Sequence, residues 1–252
     1  MEAPVTTTTF PESSIARFYS SRTCEVKHWG TIGAIRGSVH YPRTQPRRLP
    51  LDVLIPLFPL DVVLFPGTPL PLHIFEPRYK EMIAECLEQH RTFGVIRAVE
   101  QGLADVGCTA EITTVVKEYP DGRFDLVSEG RQRFEVVRVN QERSFLQAEV
   151  LIIHDEPGMP LKSATARAMQ LHADLLAIAG AKQDLSAADS AVLSFYLAGS
   201  LPLDLDFKQK LLGLRSEPER LCLLITYFET IIPNLHRAAN AREKAGGNGH
   251  VH

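Results

Sequence analysis

Hydrophobic positions recur with two different periods along this chain, and the change from one to the other falls near His154. Before it, short runs follow the two-residue period of strands. Leu70, Leu72 and Ile74 alternate with Pro71, His73 and Phe75. Val62–Phe65 is a short β-prone run. Phe93–Val99 is a continuous apolar run with one arginine, as a buried strand would be. Gly102–Gly107 reads as a loop, and Cys108–Tyr119 is rich in Thr and Val. Phe124, Leu126 and Ser128 alternate next, followed by strand patterns over Arg133–Val139 and Leu146–Ile152. The last of these places Leu146, Ala148, Val150 and Ile152 on one face. Turn signals punctuate the series at Pro66-Gly67 and at Pro120-Asp121-Gly122, where glycine supplies a positive φ. One helix interrupts it: Pro77 suits a first turn, and Tyr79, Met82, Ile83, Cys86 and Leu87 follow at three-and-four spacing. Several short strands with one helix predict a closed or nearly closed β-barrel.

After His154–Pro160 the period becomes helical. Leu161–Ala179 carries Leu171, Leu175 and Ile178 on one face. Ser186-x-x-Asp189 resembles a capping box before Val192, Phe195, Tyr196 and Leu197. Leu201–Asp206 reads as a loop and Phe207–Leu214 as a short helix. Ser216-Glu217-Pro218-Glu219 opens a longer helix with Leu221, Leu224, Ile225, Phe228 and Ile232 on one face. Pro233 should kink or end it. The expected organisation is a poorly ordered basic arm over 1–51, a barrel over 52–155, a helical bundle over 156–243 and a flexible tail over 244–252. The arm is acid-poor, with Thr6–Thr9 and scattered serines and arginines.

The 252 residues suffice for one sizeable domain or two small ones. A formal net charge of −3 gives no field that points to nucleic acid or to a membrane. There is no apolar run of about 18 residues, so no transmembrane helix is expected. Cys24, Cys86, Cys108 and Cys222 are widely spaced without a C-x-x-C, which argues against a zinc site and a disulfide framework. Reduced thiols and no secretory leader place the chain in the cytoplasm as an expectation.

The stretch Ile55–Tyr79, IPLFPLDVVLFPGTPLPLHIFEPRY, holds six prolines among apolar residues. Its reading is strand, Pro-Gly turn, proline-kinked strand, helix. This resembles the N-terminal domain of Lon-type ATP-dependent proteases, whose opening reads like PLFPL…V.FPG..LPLHIFEPRY. The shared elements include Pro66, Gly67, Pro71, Phe75, Pro77 and Tyr79. A second signature follows at Asp121-Gly122, Leu126-Val127 and Gly130 to Arg133-Phe134. A looser third is Leu201-Pro202-Leu203-Asp204 with Lys208–Leu212. The resemblance covers about residues 52 to 240. It implies an α+β fold, a PUA-like β pseudobarrel with one inserted helix followed by an α-helical bundle. It also implies a recognition part of the protease.

The catalytic parts are not legible. No G-x-x-x-x-G-K-[ST] phosphate loop, G-x-S-x-G or H-E-x-x-H is present, and no catalytic residue, metal site or cofactor is expected. The function read from this is non-catalytic recognition of unfolded or degron-bearing polypeptides, as an adaptor in proteolysis or protein quality control. Its partners would be hydrophobic polypeptides and an ATP-dependent protease. A scaffold with one fixed partner is the alternative, and a hydrolase the minor one. Proline-rich β strands leave an edge that an extended peptide can join, and Leu64, Phe65, Leu70 and Leu72 would supply apolar contacts. Core burial explains these four residues equally well. Glu76 and Arg78 at the helix start have two readings, a peptide-facing clamp or a brace to Asp61 or Arg133; the brace is the expectation. His73 is read as a barrel-exterior or capping histidine, with a pH-sensitive contact as its functional alternative. Arg131 and Arg133 are read as an exposed strand edge, and Tyr79 as core. A cleft between barrel and bundle is a further place for a ligand.

Overall fold

The computed structural model describes residues 54–181 and 192–247, with side chains described as far as residue 238. The arm over 1–51, the capping box at Ser186 and most of the tail fall outside the described residues. Among the described residues, strands and helices follow in the order β1 (Ile55–Leu60), β2 (Pro69–Ile74), α1 (Pro77–Glu88), β3 (Phe93–Val99), β4 (Gly102–Leu103), β5 (Val106–Glu118), β6 (Phe124–Asn140), β7 (Gln147–Ile152), α2 (Lys162–Ile178), α3 (Leu193–Gly199), α4 (Leu205–Gly213) and α5 (Glu217–Gly247).

Five strands close into a ring. β1 pairs with β7, β7 with β6, β6 with β5 and β5 with β3, all antiparallel. A parallel pairing of β3 with β1 completes the circuit, so the ring leaves these strands few free edges. Inside it Phe134 is fully buried with Leu57, Ile96 and Ala148. Gly94 and Gly107 make room for its ring: a Cβ on either would lie within 2.8 Å of Phe134 Cζ. β2 attaches outside the ring, along Phe124–Glu129 of β6. Helix α1 lies between β2 and β3 in the chain and buries Tyr79, Met82, Ile83 and Cys86, as their spacing predicts. The Tyr79 ring packs at a tilt 4.3 Å from that of Phe58.

Four differences from the sequence reading have physical causes. Val62–Phe65 is not a strand; the first strand is Ile55–Leu60, despite Pro56 and Pro59. Phe65 is instead held in a turn, its N–H accepted by Thr68 Oγ1 and its carbonyl accepting from the same hydroxyl. The two strand patterns at Phe124 and Arg133 form one 17-residue strand, because Gly130 lets the chain pass over it unbroken. The loops expected over Gly102–Gly107 and Leu201–Asp206 hold β4, the start of β5 and the start of α4. Asp204 caps α4, accepting from Phe207 N–H at 2.9 Å. Finally, α5 runs through Pro233. That proline lies on the exposed side, where water can satisfy the carbonyl that loses its donor.

The helices α2–α5 share one core containing Leu171, Leu175, Phe195, Leu211, Leu224 and Phe228. Phe65 belongs to it and stacks 5.2 Å from Phe195. Its neighbour Leu64 belongs to the barrel-side core with Ile74, Met82 and Phe93. Arg133 ties the two halves by donating at 2.6 Å to both the Leu212 and Leu214 carbonyls. It also pairs with Asp155. Asp155 is shared with Arg220, at 2.6 Å. Arg220 is fully buried and also donates to Ser194 Oγ and Glu217, both at 2.9 Å. Both guanidiniums lie over the Phe195 ring. Burial raises the pKa of the Glu217 carboxyl above its ordinary value, against the pull of Ser194 and Arg220, and lowers that of the Arg133 guanidinium.

Candidate functional site

The site grows from β2 and the hairpin of β5 and β6. β2 has β6 on one side and, among the described residues, nothing on the other. The alternation of the sequence sends Leu70, Leu72 and Ile74 to the barrel core and leaves Pro69, Pro71 and His73 exposed. Pro71, Leu72 and His73 line a shallow groove of ≈ 370 Å³ with Asp125, Leu126, Val127 and Val116. Val116 is 65% exposed, and Phe75, just past β2, is 60% exposed.

A polar cluster sets the far end of this groove. His73 Nδ1 meets Asp125 Oδ1 at 2.5 Å, and Tyr119 OH donates to Asp125 Oδ2 at 2.7 Å. These two hydrogen bonds hold the Asp125 carboxyl below its ordinary value. Phe75 stacks on the His73 ring with centroids 6.0 Å apart, and Tyr119 meets it edge-on at 6.2 Å. Lys117 and Arg123 sit over the Tyr119 ring at 4.3 and 4.7 Å. The Pro-Asp-Gly turn that holds Tyr119 and Asp125 together has Gly122 at φ +80°. Asp121 accepts from Arg123 in it.

The residues expected at the site are divided by the structure. Leu64 and Phe65 are 4% and 1% exposed, so they serve the two cores and have no surface to offer a peptide. Leu70 and Leu72 are half-buried, on the inward side of β2. Glu76 and Arg78 brace neither Asp61 nor Arg133. They pair with each other at 2.8 Å in solvent, two residues apart at the start of α1, where Pro77 occupies the first turn. Arg133 is not an exposed edge but 4% exposed; Arg131 does lie in solvent, with Glu111 and Glu129. Gly67 (φ +73°) and Pro66 turn the chain toward Gly130. His73 is on the exterior as expected. Its partners Tyr119 and Asp125 were missed; the only sequence signal for them is that they flank a tight turn. At the barrel–bundle junction Phe65 and Arg133 pack against the helices. A polar recess of ≈ 500 Å³ remains at Asp61, Arg97, Glu100 and Asp206, where Arg97 pairs with Asp206 at 2.5 Å.

No group of three or more His, Cys, Asp or Glu among the described residues is placed to hold a metal. Burial pushes the Cys86 thiol up to about 11 and that of Cys108 up to about 12, so neither is an activated nucleophile. The groove region combines an edge of β2 that is open among the described residues with an aromatic and apolar face.

The sequence pattern of the ATP-dependent protease La (LON) substrate-binding domain matches residues 54–229. The chain belongs to this family. The Lon protease of Cytophaga hutchinsonii is 24% identical over 200 residues, covering 72% of this chain and 25% of that protein. The Lon protease of Parabacteroides distasonis is 31% identical over 109 residues, covering 40% and 13%. Protein cereblon of Gallus gallus is 32% identical over 123 residues, covering 47% and 27%. The chain thus spans about a quarter or less of the curated relatives it matches. A Lon N-terminal domain protein from Xanthomonas campestris superposes with a TM-score of 0.58 at 26% identity, covering 69% of this chain and 98% of that one. The N-terminal domain of a Mycobacterium avium complex Lon protease superposes at 0.55, covering 70% and 98%; at 19% identity it shows the fold alone. The matched LON domain is the substrate-binding part of such proteases, not the part that carries catalysis. No helix among the described residues of this LON domain is long and apolar enough to cross a membrane.

Proposed function

We propose that this LON domain captures extended stretches of unfolded or degron-bearing polypeptides and acts without catalysis of its own, as an adaptor to an ATP-dependent protease in protein quality control. The observation that carries this reading is the edge of β2, unpaired among the described residues, beside the Pro71–Val116–Val127 groove and the 60% exposed Phe75. Main-chain hydrogen bonds along such an edge bind any extended chain, and adjoining apolar surface selects chains that expose hydrophobic side chains. Folded proteins pair most of their backbone groups and bury most of their large apolar side chains, so they present fewer such stretches. Family membership supports the substrate-binding role.

Fluorescence anisotropy of a labelled, reduced and carboxymethylated protein titrated with the purified chain tests the reading. Saturable binding at tens of micromolar or tighter, weakened by Phe75→Asp, is the expected result. Binding that Phe75→Asp leaves unchanged would remove the site. Capture of one stoichiometric partner, with no affinity for unfolded chains, would favour a fixed scaffold instead.

A further inference from the structure

The outward edge of β2 specifies what can lie along it. Gly130 N–H donates to the Thr68 carbonyl at 3.0 Å, which sets the phase of the ladder between β2 and β6. The register continues as Leu70↔Ser128, Leu72↔Leu126 and Ile74↔Phe124. In an antiparallel pair, alternate residues turn both backbone groups toward the neighbour. Thr68, Leu70, Leu72 and Ile74 therefore face β6, and Pro69, Pro71 and His73 face outward. Two of these three are prolines and carry no N–H. The open edge thus presents the carbonyls of Pro69, Pro71 and His73 but only the His73 N–H, where an ordinary edge offers donors and acceptors in equal number.

From this we infer that the edge accepts N–H groups and offers almost none, so its occupant is an extended segment of another polypeptide with N–H groups at alternate positions. That segment lays its N–H groups on the three carbonyls and its outward side chains beside Pro71, at the near rim of the groove. A proline at an edge-facing position of the occupant is rejected, because it would put a ring where a donor is required. The β2 edge of a second copy is rejected for the same reason. Two β2 edges brought together would set carbonyl against carbonyl. The inference rests on the polypeptide-binding reading for its ligand, while the donor-poor edge follows from register alone.

The test uses the full chain, its Pro71→Ala variant and its Pro69→Ala/Pro71→Ala variant. Both prolines are exposed, so neither change empties the core. The probe is a fluorescein-labelled peptide of alternating Thr and Val. Each restored donor should tighten probe binding about fivefold, and the double variant should self-associate in sedimentation. N-methylation of the probe at alternate residues should abolish binding in one phase and spare it in the other. By NMR, the amide that Pro71→Ala introduces should exchange at an unprotected rate in the free chain and become protected when probe is bound. Protection of that amide already in the free chain would overturn the outward phase, whatever the probe does. Unchanged affinity and no self-association, with the probe still bound by the unaltered chain, would overturn the edge as the docking line and leave polypeptide binding standing. Failure of the unaltered chain to bind any unfolded polypeptide would overturn the function, while exchange of the introduced amide would still report the edge.

Discussion

Gly130 shows how much one missing methyl can organise. Its N–H and carbonyl bond Thr68 and Gly67 of the crossing segment, and a Cβ there would run into the Phe65 carbonyl. Because the obstacle is backbone, it cannot rotate away. Gly130→Ala should cost about 3 kcal/mol by urea unfolding; a loss under about 0.5 kcal/mol would mean that the crossing relaxes freely. His172 supplies a pH-dependent test. It is fully buried in α2, with Nε2 2.7 Å from Ser200 Oγ and Nδ1 without a partner among the described residues. Burial lowers its pKa from the ordinary 6.5. The unfolded chain therefore binds more protons than the folded one below that value, and stability falls as the pH drops through it. Urea unfolding at about pH 7.5 and 5.5 should show this loss, and His172→Gln, which keeps a partner for Ser200, should reduce it. The sequence could not announce this residue, since a histidine among alanines and leucines reads the same buried or exposed. Tyr79 was legible because four neighbours shared its stripe.

At the level of elements, period was a good guide and proline a poor one. α1 and β7 stand where three-and-four spacing and alternation put them, and β3 where a continuous apolar run does. β1 was missed because the β-prone run Val62–Phe65 took its place in the reading, while Pro56 and Pro59 each meet a neighbour on one side of the ring only. The Arg133–Asp155–Arg220–Glu217–Ser194 network was missed for a different reason. Its members come from β6, the segment after β7, α5 and α3, and only Glu217 and Arg220 are near in sequence. Arg220→Met should cost about 3 to 5 kcal/mol, because it strands the buried Glu217 without its cation and leaves Asp155 to Arg133 alone. Asp155→Asn should cost less, as that side chain is 34% exposed. Equal losses in chemical unfolding would refute the ranking. On β2, His73→Ala should weaken polypeptide binding by freeing Phe75 from its stacking partner, with Tm nearly unchanged. A large drop in Tm would make the cluster a support of the fold instead.

At the scale of the whole molecule, the ring and the bundle were each legible, but their union was not. The sequence marks a change of period near His154; it does not mark that Phe65, nearly ninety residues upstream, packs among the helices. The purified chain should turn over neither ATP nor casein, and measurable turnover of either would place it outside a recognition role. Leu64 and Phe65 are joined by one peptide bond yet lie in different cores. The polypeptide is stitched through both halves before either is complete, so neither can be lifted off the other without pulling the thread. Heat and denaturant should therefore undo barrel and helices in one step, and a ribosome that has made only the strands will hold a chain with Phe65 still waiting for its pocket.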